Sequence, residues 1–146
     1  MIINLRLRTL RINILLLSVV MLFSINVSYA DVETIDNIKV KSLISKGVPL
    51  IDIRSSTEWK ETGIIEGSHL ITFFNENGKV NLNKWMSAFY KVADKTKPFM
   101  LICASGVRSK FASYILNNQF DIPKIYDASE GVSGWIKDKH PVVKNY

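Results

Sequence analysis

The sequence predicts an α/β domain of three layers, with helices on both faces of a central, mostly parallel sheet of four to five strands. Three observations carry this. Short runs of strand length recur, PLIDIR at 49–54, HLITFF at 69–74, PFMLIC at 98–103 and KIYDA at 124–128, and the first is apolar enough to be buried on both faces. Amphipathic stretches of helical period separate them. Strands alternating with helices imply parallel pairing through right-handed crossovers, and such sheets hold ligands beyond the carboxyl ends of their strands.

Taken in order, Asn37 to Lys46 places Ile38, Val40, Leu43 and Ile44 at helical spacing, and Gly47 closes the helix. The strand PLIDIR follows. In SSTEW, Ser56 or Thr57 caps the next helix, with Glu58 in a first turn whose dipole favours a carboxylate. After HLITFF, the NENG at 75–78 is turn chemistry. Asn81 to Asp94 is then an amphipathic helix with Leu82, Trp85, Met86, Phe89 and Val92 on one face. PFMLIC, a helix over Ser109 to Gln119, the strand KIYDA and a Gly-containing turn into a short helix within Glu130–Lys139 complete the chain. This places Cys103, Asp52, Arg54 and Asp127 at the ligand-binding ends of strands.

The first thirty residues stand apart. Arg6, Arg8 and Arg11 precede an apolar run from Ile14 to Phe23, and Ser28, Tyr29 and Ala30 put small residues where a signal peptidase reads. Cleavage after Ala30 is expected, with residues 31–146 as a single exported domain in a bacterial periplasm and no stable membrane insertion afterwards. The competing reading is an uncleaved inner-membrane anchor, but a spanning helix wants about 20 mostly apolar residues. Asn13, Ser18, Ser24 and Asn26 thin this run below that standard.

Three of the 19 basic residues fall in the leader, leaving 16 against 13 acidic ones. So mild a balance, with lysines spread from Lys39 to Lys144 and no aromatic stripe among them, lacks the footprint of a nucleic-acid binder. His69 and His140 have no ligand spacing with each other or with Cys103, so no metal site is expected. A single cysteine permits no disulfide within the chain.

That cysteine opens CASGVRS, Cys103 to Ser109, where a buried strand hands over to a helix. Backbone N–H groups, a helix N-terminus and the charge of Arg108 converge on such a position and favour the thiolate, which is the nucleophilic form. A cysteine kept only for packing has no need of Gly106 three positions on, nor of Ser105, Arg108 and Ser109 around it.

Four segments in order, LIDIRSSTEW, TGIIEGSHLI, CASGVRS and EGVSGWIKDKHPV, resemble the rhodanese (sulfurtransferase) family, in particular its exported single-domain members. The first is similar to the family's strand ending in Asp-x-Arg and the third to its catalytic loop. Cys103 and Arg108 enclose four residues, Ala104, Ser105, Gly106 and Val107, where the related phosphatases have five. The shorter loop resembles that of sulfurtransferases. The resemblance implies a Cys103 persulfide, formed from thiosulfate, a persulfide or a polysulfide and passed to a thiol or cyanide, without metal or organic cofactor. The partners implied are a small sulfur donor, a thiol acceptor and a sulfur-accepting protein. A carrier module that does not turn over, or a phosphatase or arsenate reductase, are the alternatives.

Other roles stay open at this level. Arg108 either faces the cavity and binds an anionic donor or turns outward to a carboxylate. Ser105 and Ser109 either bond the sulfur or cap the following helix, with capping favoured for Ser109. Asp52 and Arg54 match a structural ion pair, with Glu58 or Glu66 as further partners for the arginine. Ala104 and Ser105 are neutral where thiosulfate-specialised members often carry basic side chains, which weakens attraction for a dianion.

Overall fold

The computed structural model describes residues 31–120 and 122–144. The leader and its cleavage site lie outside them. Five strands and five helices alternate: β1 (Asp31–Ile35), α1 (Asn37–Ser45), β2 (Leu50–Asp52), α2 (Ser56–Thr62), β3 (His69–Leu70), α3 (Leu82–Phe89), β4 (Phe99–Ile102), α4 (Val107–Phe120), β5 (Lys124–Ala128) and α5 (Gly131–Lys137). The sheet order is β1-β5-β4-β2-β3, and every pair in it is parallel. No helix among the described residues is long and apolar enough to cross a membrane.

Alternation along the central strands divides the core in two. On one face Ile51, Phe99, Leu101 and Ile125 pack against Trp85, Met86 and Phe89 of α3 and Ala112 and Leu116 of α4. On the other, Leu50, Met100, Ile102 and Ala128 meet Val40 and Leu43 of α1 and Val132 and Trp135 of α5. Residues adjacent in sequence thus serve opposite layers, because successive strand side chains point to opposite faces. The short helix α2 buries none of its residues and follows the carboxyl end of β2.

Several local expectations are revised. β1 was not foreseen as a strand: DVETI carries two acids and buries only Ile35, yet all five residues pair with β5. Along HLITFF only His69 and Leu70 remain in the ladder, after which Ile71 and Phe73 still donate to the carbonyls of Asp52 and Ile53 as the chain leaves the edge. The helix expected to Asp94 ends at Phe89, and a turn beyond it carries Val92 to the same core. Ser55, rather than Ser56 or Thr57, caps α2, its hydroxyl accepting from the Glu58 amide while Glu58 accepts from the Ser55 amide. This reciprocal box explains why the helix starts one residue early.

Candidate active site

Four apolar residues bring the chain through the sheet centre as β4, and Cys103 is the next residue, fully buried. The chain then turns through Ala104, Ser105 and Gly106 into α4. Gly106 has φ +86° and donates its amide to Cys103 Sγ at 3.2 Å. A β-carbon on Gly106 would lie 1.8 Å from the carbonyl oxygen of Ser129, so only glycine lets the loop rest on the link between β5 and α5. Gly131, at φ +59°, plays the reciprocal part: a β-carbon there would meet Ala104 and Ser105 backbone at 2.5 Å.

The two segments are also hydrogen-bonded. Val132 and Ser133 donate to the carbonyls of Cys103 and Ala104, both at 2.9 Å. α5 has no side-chain cap, and these contacts satisfy two of its free N–H groups. In a planar trans peptide the N–H points opposite to the C=O. Fixing those two carbonyls on α5 therefore turns the amides of Ala104 and Ser105 away from it.

Arg108 turns outward. Its terminal nitrogens both donate to Glu58, Nη1 to Oε2 at 3.0 Å and Nη2 to Oε1. The guanidinium holds the Glu58 carboxyl down at about 2, and Glu58 in turn raises Arg108 above its ordinary value, with a smaller contribution from the charge at Cys103. Ser109 is inside α4 rather than its cap, because the helix begins at Val107; its hydroxyl donates to the Gly106 carbonyl at 3.0 Å and so steadies the loop. Ser105 is exposed. Val107 is likewise exposed, at 73%.

Asp52 and Arg54 meet each other rather than either proposed glutamate. Arg54 Nε donates to both Asp52 oxygens and Nη2 to Oδ2 at 2.6 Å, while Nη1 donates to Thr62 Oγ1 at 2.6 Å and Nη2 also to the Gly63 carbonyl at 2.8 Å. Both residues are buried. They tie β2 to the end of α2, the helix that presents Glu58 to Arg108. Asp127 is buried on β5, one carboxyl oxygen lacks a partner, and burial pushes its pKa up. Among the described residues no three His, Cys, Asp or Glu side chains form a metal-binding group.

Beside the loop lies a cleft of about 540 Å3. Ser55 and Glu58 form one wall, the 74–78 turn another, and Val107, Arg108 and Phe111 the third. Phe74 and Phe111 lie near parallel, ring centres 6.2 Å apart and planes inclined by 26°. Neither this cleft nor the partnership of Glu58 with Arg108 was anticipated. A visible hint was that Val107 and Phe111 are apolar, one helical turn apart, on the side of α4 away from the buried Ala112 and Leu116.

The family model of the rhodanese-like domain matches residues 36–138. The chain belongs to the rhodanese-like domain family. Rv0390 from M. tuberculosis shares this rhodanese-like fold with a TM-score of 0.65 at 17% identity, over 80% of this chain and 99% of that one. The 30 kDa polysulfide-sulfur transferase homodimer of Wolinella succinogenes gives 0.59 at 19% identity, over 80% and 81%. A curated relative, the protein HIGH ARSENIC CONTENT 1, mitochondrial, of Arabidopsis thaliana, is 26% identical over 108 residues, 73% of this chain. The rhodanese-like chain spans 63% of that relative's length.

Proposed function

We propose that the protein is a sulfurtransferase working through a Cys103 persulfide. The observation that carries this reading is the buried sulfur at the end of β4, bonded by the Gly106 amide within a loop that encloses four residues before Arg108. The thiolate attacks the outer sulfur of the donor. A bond forms from Sγ to that sulfur, the bond to the rest of the donor breaks, and its electron pair leaves with the remainder. A thiol or cyanide then attacks the same sulfur and returns the cysteine thiolate. Preorganised amides in a dry site stabilise the thiolate and the anionic persulfide alike, as in an oxyanion hole. Thiosulfate, small-thiol persulfides and polysulfides are the donor classes, and a protein thiol is a further acceptor. We place the reaction in a bacterial periplasm, after removal of the leader at Ala30.

Sulfur itself is sealed in this conformation, so attack requires the loop to shift first. Intact mass after incubation with thiosulfate or polysulfide tests the reading. One added sulfur atom is expected, lost on reduction and absent from Cys103→Ser with the fold intact. Transfer that survives Cys103→Ser would sink it. A stoichiometric adduct without turnover would identify a carrier, and turnover of an aryl phosphate would restore the phosphatase alternative.

A further inference from the structure

Resting on the sulfurtransferase reading, we infer that the site prefers a sulfane sulfur carried on an apolar body with no more than one negative charge over a small dianion such as thiosulfate. The loop's cation is already committed. Both terminal nitrogens of Arg108 are bound by Glu58, and Glu58 is itself fixed by the amide and hydroxyl of Ser55 at 3.0 and 3.1 Å. Releasing Arg108 to a donor would break a two-pronged charge-assisted pair. Glu58 and Glu76 add two carboxylates to the walls of the cleft, so its charged side chains sum to one negative charge. Ala104 and Ser105 contribute none.

What the cleft offers instead is apolar surface. Phe74, Val107 and Phe111 face it, and Val107 and Phe111 stay 73% and 58% exposed, at the start of α4 where the loop ends. A volume of about 540 Å3 is of the size that takes an organic molecule. Covering those rings with the donor's body recovers the apolar area they now leave in water. Loop amides and the start of α4 remain to balance a single negative charge at the transferring sulfur.

An aryl thiosulfonate is such a donor. The Cys103 thiolate attacks its terminal sulfur, the S–S bond to the sulfonyl sulfur breaks, and the pair leaves on an aryl sulfinate, giving an anionic persulfide with charge conserved and no oxidant or reductant required. The test compares kcat/KM for benzenethiosulfonate and thiosulfate, with cyanide as common acceptor, on the full chain. We expect the aryl donor to lead about tenfold or more, the scale of one buried ring face. Phe111→Ser should shrink that ratio about fivefold through the KM of the aryl donor. Glu58→Gln keeps a capping-box residue and frees Arg108, so it should raise kcat/KM for thiosulfate about fivefold. Thiosulfate matching the aryl donor, or a ratio indifferent to Phe111→Ser, would overturn the inference while leaving the persulfide mechanism in place. Failure of both donors to form any adduct would instead overturn the sulfurtransferase reading on which it rests.

Discussion

At Arg54 a full charge is buried at 1% exposure, tolerated because each of its three nitrogens donates to Asp52, Thr62 or the Gly63 carbonyl. Arg54→Ala would strand the Asp52 carboxylate, and breaking a buried pair this way costs about 3–5 kcal/mol, to be read from urea unfolding. Arg54→Lys should also destabilise, since an ammonium cannot span the same fork. The sequence disclosed the Asp-x-Arg pair but not its geometry: the acid two residues away along the chain lies nearer than Glu58 or Glu66. Glu58 was thereby left for Arg108, a contact across 50 residues that no local pattern announces. Its pH dependence has a definite sign. With the Glu58 carboxyl lowered from 4.5 to about 2 by Arg108, its contribution is complete above the unfolded value and is lost as pH falls from 4.5 toward 2. Stability of the protein minus that of Glu58→Gln should therefore shrink between pH 5 and 2, and a constant difference would contradict the pair.

Elements were legible where hydrophobic pattern decides them, as in β2, β4 and β5 and the cores of α1, α3 and α4. They were not legible where the decision is tertiary. DVETI becomes a strand because β5 offers it an edge, and Lys124 binds both Asp31 and Glu33 across that edge. β3 is short because β2 beside it ends at Asp52, where the chain turns to bury Arg54. The contact between the Cys103–Ser109 loop and α5 makes a sharper prediction. Gly131→Ala would force a methyl into loop backbone, so the proposed sulfur transfer should fall more than a hundredfold, a loss typical of sites displaced by about an ångström. Gly47→Ala is the control. It too has positive φ, +75°, but nothing lies within 4 Å of its β-carbon, so it should cost only about 1–2 kcal/mol of backbone strain and leave transfer at the same rate.

For the molecule as a whole, the two apolar layers share one sheet, whose central strands β2, β4 and β5 give alternate side chains to each. Neither layer can persist alone. Variants retaining only Trp85, in one layer, or only Trp135, in the other, should report a single unfolding midpoint in urea once each variant's own stability is matched by circular dichroism. A fluorescence midpoint separated from the dichroism midpoint in either variant would show the layers coming apart independently. The strand order lay beyond the sequence, because it joins the first described strand to the last, and such long-range pairing leaves no periodicity to read. That order has a consequence for biosynthesis. Cys103 leaves the ribosome well before Gly131 to Lys137, and until that late segment docks, the carbonyls of Cys103 and Ala104 lack their donors and the loop has no support beneath it. A chain that stops short of Gly131 thus leaves Cys103 in an unsupported loop, and the loop reaches its folded shape only once that segment has docked.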